Sequence, residues 1–301
     1  MAYYRTNDAR YSNQGYGGRS NFRWGGLIIA ALFAGVALCK YYGTSQINEI
    51  TGEKQHIGNI TKEQEMSLGV QSAPSMAQQY GGLYPDERAQ AYVKQVGQRI
   101  VQQSIVNTSG YQYDFHLLAD PQTVNAFALP GGQVFITQAL FSRLENEDQL
   151  AGVFGHEIGH VIARHGAERM QSEELIQGLT GAAVIAAGDY NSAQGIQMIA
   201  NMVGMKYGRG QELESDDLGV RFMYEAGYDP RALIDVMRIL EEASQGGQRQ
   251  PEFFSTHPSP ENRVQKIKEA IDKYTQGRRL DQGNATAEPA IRLKDPNFKL
   301  D

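Results

Sequence analysis

The chain has 301 residues, enough for one or two domains with a buried core, and its apolar (41%) and charged (21%) fractions are those of a folded protein. A net charge of −6 and a pI near 5.6 leave no electrostatic footprint for nucleic acid. The single cysteine, Cys39, excludes an internal disulfide framework and a cysteine-rich zinc site, so a metal would have to be held by carboxylates and by the six histidines.

Residues 1–23 are rich in Tyr, Asn, Gly, Ser and Arg without apolar periodicity and read as a disordered polar tail. An uncharged run follows from Trp24 to Cys39, bracketed by Arg23 and Lys40, with Trp24 and Tyr41-Tyr42 at its ends. Aromatic and basic flanks of this kind suit a membrane interface, so residues 24–42 are expected to form an anchor or signal segment. Arg5, Arg10, Arg19 and Arg23 outnumber Asp8, which puts the N-terminus on the cytoplasmic side of a cell membrane and the rest of the chain in the periplasm or its equivalent. Two alternatives stay open: lipidation at Cys39, or cleavage after Gly35-Val36-Ala37 to give a soluble periplasmic protein. Residues 43–57 read as a linker.

From Thr61 the pattern becomes mostly helical. Ala89, Tyr92, Val93, Val96, Ile100 and Val101 give the stretch from Asp86 to Gln103 one apolar face at helical spacing. Tyr113–Asp120 reads as a strand, and Asn125–Thr137 as a hairpin turning at Pro130-Gly131-Gly132. The apolar run between Gln177 and Gly210 is too short to span a bilayer and is expected to form cover helices over a cleft. Residues 276–301 form a polar tail.

His156-Glu157-Ile158-Gly159-His160 matches H-E-x-x-H. On a helix, residues i and i+4 project from one face and can close on one ion, leaving the Glu free as the catalytic acid/base. The surroundings supply the helix: Asn146 as cap, Gln149 three residues on, Glu147 and Asp148 in the first turn, and an apolar stripe from Leu150 to Ile162. Catalytic zinc takes three protein ligands and keeps a position for water. Downstream, Glu212 and Asp216 share a helix face, with Gly219 near it. By composition alone this acidic stretch serves equally well as a metal ligand set or as a solvated face. His165 is explained by its place at the helix C-terminus, and His56 and His116 are assigned to surface and strand.

HEIGH followed about fifty residues later by ELESD and Gly219 resembles the HtpX/BepA-like zinc metallopeptidases, relatives of the CaaX prenyl proteases and of the mitochondrial inner-membrane quality-control peptidase. ITKEQEMSLG, NAFALPGGQVFIT and STHPSPENR resemble family segments in the same order, so the likeness covers residues 58–275. It implies an α+β, predominantly helical zincin-type domain, holding one Zn2+ per chain, behind an N-terminal membrane segment. It also implies that Glu212 is the third ligand, with Asp216 behind the ligands, and that His257 is either a resting ligand at the open site or a stabiliser of the transition state. Arg263 follows at the family spacing and is grouped with Asn125, Ala126 and Phe127, the edge strand expected to bind substrate in extended form. The implied activity is hydrolysis of unfolded or misfolded cell-envelope proteins; the alternative is a chaperone-like or scaffold protein with a blocked zinc site. Neither the oligomeric state nor a specific partner is specified by these motifs.

Overall fold

The computed structural model describes residues 24–172, 175, 207–245, 251–258 and 261–275. The expectations for the two polar tails, and for cover helices from Gln177 up to residue 206, lie outside these residues. The described chain is mostly helical with two small sheets.

Helix α1 (Trp24–Gly43) carries the apolar run and continues through Lys40-Tyr41-Tyr42. Among the described residues it is the one helix long and apolar enough to cross a membrane, and it leaves Ile28, Leu32 and Val36 exposed. The expected linker contains a small antiparallel hairpin, β1 (Ser45–Ile47) and β2 (Lys54–His56). Its turn is built by Asn48, whose Oδ1 accepts from the backbone N–H groups of Ile50 and Thr51. The Asn48 amide donates onward to the Ile162 carbonyl at 2.7 Å, and the Gln55 amide donates to the Ala163 carbonyl.

Those two carbonyls belong to the end of the H-E-x-x-H helix, so the segment after α1 caps that helix.

Helix α2 (Lys62–Gln79) starts at a Thr61/Gln64 capping box. Helix α3 (Glu87–Gln103), capped by Asp86, buries the predicted face, with Val93 and Ile100 fully inside. Each such side chain contributes roughly 1.5–3 kcal/mol by leaving water. A sheet follows from β3 (Asp114–Leu118), β4 (Ala126–Leu129) and β5 (Gln133–Thr137) in the order β3-β5-β4, parallel for β3–β5 and antiparallel for β4–β5. β4 is therefore an edge strand, with Asn125 immediately before it. Its turn to β5 places Gly131 at φ 83°, where a Cβ would also meet the Met66 backbone of α2 at 2.3 Å.

After the short α4 (Gln138–Phe141), helix α5 (Glu147–Ile162) runs through the centre with every residue from Gln149 to Ile162 buried. α6 (Arg209–Glu225) crosses it and ends before Gly227 at φ 76°. α7 (Ala232–Gln245), the one-turn α8 (Glu252–Thr256) and α9 (Arg263–Thr275) complete the described elements.

Candidate metal centre and active site

The site depends on how closely α5 and α6 approach. A Cβ on Gly159 would stand 2.8 Å from the Ser215 carbonyl oxygen, and one on Gly219 would stand 3.0 Å from the backbone of Gly155 and His156. The missing side chains bring the two backbones together, which is what lets a carboxylate on α6 reach imidazoles on α5.

At this crossing four buried side chains converge: His156 and His160 from α5, Glu212 from the first turn of α6, and His257 just beyond α8. His156 Nε2 lies 3.2 Å from His160 Nε2 and 3.4 Å from His257 Nδ1. The Glu212 carboxylate lies 3.5 Å from His156 Nε2, 3.4 Å from His160 Nε2 and 3.0 Å from His257 Nδ1. Two ligands each about 2.0–2.1 Å from one tetrahedral zinc stand roughly 3.3 Å apart. The spacing, the nitrogen and oxygen donors and the absence of sulfur therefore fit that ion. Burial pushes the Glu212 carboxyl up, but His257, His160 and His156 outweigh it and hold the group ionised.

Each α5 imidazole is oriented through its other nitrogen. His156 Nδ1 donates to Asp216 Oδ1 at 2.9 Å, and Asp216 is held by Arg263 through Nε at 2.7 Å and Nη2 at 2.9 Å. His160 Nδ1 donates to His165 Nδ1 at 2.9 Å, which leaves the His165 Nε2–H to donate to Glu214 at 3.2 Å. His160 is also stacked on Tyr207, with ring centroids 3.9 Å apart, and the Arg169 guanidinium covers the other side of that pair at 3.9 Å from the Tyr207 ring. Burial disfavours an imidazolium at both ligands. At His156 the Asp216 carboxylate outweighs burial and raises the pKa; at His160 burial wins and the pKa falls well below its usual value.

His165 and Glu214 therefore stand at the site, where sequence reasoning explained the first by the helix C-terminus and assigned the second no role. The chain reaches His165 through Arg164, a non-glycine residue at φ 53°. Arg164 is held there by a buried ion pair to Glu65 at 3.2 Å and by the Ile60 carbonyl at 2.8 Å. A His five residues beyond His160, with a second Glu two residues beyond Glu212, was the available signal. Periodicity alone does not return residue i+5 to the same ion.

Glu157 is 1% exposed, and neither of its oxygens has a hydrogen-bond partner. His257 Nε2 lies 3.7 Å from its Oε1. Burial pushes its carboxyl above the usual range. Arg263, expected beside Asn125, Ala126 and Phe127 at the substrate, is instead 2% exposed and turned to Asp216 and Glu212, because two buried carboxylates require a buried cation. Asn125 is 2% exposed, its amide nitrogen bonded to Tyr80 and Glu252; Ala126 is buried and Phe127 half-buried on β4.

The sequence profile of peptidase family M48 matches residues 87–271. The Beta-barrel assembly-enhancing protease of Yersinia pestis is 30% identical over 215 residues, 68% of this chain and 43% of that protein. The Mitochondrial metalloendopeptidase OMA1 of Schizosaccharomyces pombe is 29% identical over 252 residues, 82% of this chain and 72% of that protein. The Escherichia coli Beta-barrel assembly-enhancing protease is 31% identical over 183 residues, 58% of this chain and 37% of that protein. The chain thus spans less than half the length of the two β-barrel assembly-enhancing relatives. The profile runs across the sheet, the H-E-x-x-H helix, the acidic helix and Arg263, which are the parts that build the centre, and this chain belongs to peptidase family M48 and is a metallopeptidase.

Proposed function

We propose that this protein is a zinc-dependent endopeptidase, tethered to a membrane by α1, that cleaves unfolded or misassembled proteins of the cell envelope. The observation that carries the proteolytic reading is Glu157: a buried carboxylate without a hydrogen-bond partner, beside a set of metal-ligand type. A purely structural metal site has no use for such a group. His156, His160 and Glu212 would hold the ion. Zinc in that position supplies a water of lowered pKa and polarises the scissile carbonyl.

The chain's own residues do the rest. Glu157 accepts the proton of the attacking water and delivers it to the leaving nitrogen, and its burial-raised pKa suits a group that must both take and release a proton near neutrality. Asp216 and Arg263 fix the His156 ring, and Arg263 also balances the Glu212 charge at 3.3 Å. The edge of β4, unpaired among the described residues and lying at Asn125, Ala126 and Phe127, receives an extended segment by strand addition, which reads backbone more than side chains and favours unfolded substrates. The relatives are β-barrel assembly-enhancing proteases and a metalloendopeptidase, which supports a protein substrate. The arginines before α1 support an N-terminus on the cytoplasmic side.

A second reading rests on His257. Its Nδ1 completes a four-ligand set, the arrangement of a closed site, so the resting enzyme is self-inhibited until this residue withdraws. Permanent closure would make the protein a scaffold or chaperone-like factor.

The test is casein hydrolysis by the full chain in detergent, wild type beside Glu157→Gln, with zinc measured on both. About one zinc per chain in each and cleavage by the wild type alone supports the endopeptidase. Zinc in both and cleavage by neither supports the blocked site, and His257→Ala then separates the cases. A rise in activity marks His257 as a resting ligand; a fall marks it as a stabiliser of the transition state.

A further inference from the structure

The one-turn helix α8 that delivers His257 has little to hold it by itself, since a single turn is unstable alone. Among the described residues its C-terminal end is tied by the Tyr207 N–H, which donates to the Thr256 carbonyl at 3.1 Å, and its N-terminal end by contacts near the substrate edge. The Phe253 N–H donates to the Val124 carbonyl at 3.3 Å, and the Phe253 ring is buried and stacked on His257 at 4.4 Å. The Glu252 carboxylate accepts from the Tyr80 hydroxyl at 2.5 Å and from the Asn125 amide at 3.3 Å, and the Asn125 amide also donates to the Tyr80 oxygen at 3.3 Å. Three segments distant in sequence thus meet at one carboxylate oxygen: the end of α2, the start of β4 and the first residue of α8.

This cluster plays no part in holding the ion or moving protons, yet it touches both functional regions. On one side it sets where α8 begins, and His257 follows one turn later with its N–H bonded to the Phe253 carbonyl at 2.7 Å. On the other it borders the edge strand. Asn125 directly precedes β4, and the Tyr80 ring lies 5.2 Å from that of Phe127 on β4. The Asn125 Oδ1 is buried and has no donor, an arrangement that a backbone N–H of an added strand would complete. Burial and the neighbouring Glu252 both raise the Tyr80 pKa, which keeps its hydroxyl a donor at all ordinary pH.

We propose that Glu252, clamped by Tyr80 and Asn125, is a positioning residue that holds His257 against the metal ligands, and that a strand docking on β4 acts on the clamp through Asn125. The proposal rests on the reading of His257 as the fourth resting ligand. It makes the clamp the link between an occupied substrate edge and an opened metal site, so that His257 would stay among the metal-binding side chains only while the edge is empty.

The experiment measures the rate at which zinc passes from the full-length protein to a chelator, with casein hydrolysis alongside. The variants are Tyr80→Phe, Glu252→Ala, His257→Ala and the two pairs containing His257→Ala. Tyr80→Phe removes one hydroxyl and keeps the ring on Phe127, so it preserves the fold if Glu252→Ala does not. Zinc loss roughly three- to tenfold faster in Tyr80→Phe and Glu252→Ala is expected, the range for one lost hydrogen bond. Basal cleavage should rise in parallel, and neither pair should lose zinc faster than His257→Ala alone. Wild-type rates in both clamp variants, with His257→Ala fast, overturn the clamp and leave His257 as a ligand. Clamp effects that persist in full beside His257→Ala also overturn it, because the residues would then act through the fold. A wild-type rate in His257→Ala removes the ligand reading and the clamp with it.

Discussion

His156 donates to a carboxylate that two nitrogens of Arg263 grip, whereas His160, one turn further along α5, meets the imidazole of His165, which leads outward to Glu214. The first support is closed and ionic, with Asp216 and Arg263 both at 2% exposure or less. The second ends on a carboxylate whose side chain is 27% exposed. Their titration differs too: burial lowers both, but at His156 the Asp216 carboxylate outweighs it, whereas at His160 burial outweighs the opposing Glu212 carboxylate. The same side chain is thus held firmly at one end of the motif and adjustably at the other. The adjustable end lies toward Tyr207 and the C-terminus of α5, where the hairpin after α1 is attached.

The largest effect should come from Asp216→Ala. It leaves Arg263 buried with one carboxylate neighbour instead of two, so metal-free protein should lose about 3–5 kcal/mol in urea unfolding. Zinc affinity should fall about 10–100-fold by competition titration. The pH dependence sharpens this. Although burial opposes ionisation, Arg263 and His156 hold the folded Asp216 carboxyl below its ordinary value. A carboxyl of depressed folded pKa contributes stability above its unfolded pKa, about 3.9, and loses it as pH falls through the folded value. The stability gap between wild type and Asp216→Asn should therefore be full at pH 6 and close only in strong acid. An equal gap at every pH would remove the ionic account of this support.

His165→Ala should come second. It deprives the His160 Nδ1–H of its acceptor at a cost of about 1–3 kcal/mol, while Glu214 returns to solvent. Zinc affinity should fall about tenfold, with stability of the metal-free protein reduced less than in Asp216→Ala. Losses equal to those of Asp216→Ala would mean that the two supports do not differ in kind.

How much of this was legible in the sequence follows the same division. The helix carrying His156 and His160 announces itself through an Asn146 cap, acidic first turn and apolar stripe, all local signals. The place of Gly219 against α5 was readable because a glycine beside paired carboxylates marks a close crossing. His165 was not readable as a neighbour of His160, since its return depends on the left-handed Arg164 that Glu65, ninety-nine residues away, holds in place. Glu252 and Tyr80 are separated by 172 residues, and no short pattern joins them. Arg263 was grouped with the substrate strand on the family spacing; only the positions of Asp216 and Glu212 show that its charge is used inside. The hairpin at β1 and β2 escaped notice because Ser-Gln-Ile and Lys-Gln-His carry no apolar alternation, and its stability comes from Asn48 and Gln55 reaching the end of α5.

Asn48 provides the smallest and most selective test. Asn48→Ala removes one hydrogen bond to the Ile162 carbonyl and the turn bonds to Ile50 and Thr51, a loss of about 0.5–1.5 kcal/mol per bond at most. That loosening falls at the His160 end of α5, two residues before the left-handed Arg164, and leaves the Asp216–Arg263 pair untouched. Hydrogen exchange should accelerate for the amides from His160 to His165 and stay at wild-type rates for those from Gly152 to His156. Zinc affinity should fall severalfold at most, because His156 and Glu212 keep their supports. Equal acceleration along the whole helix would show α5 opening as one unit, and the contrast between its two ligands would then describe geometry without a matching difference in stability.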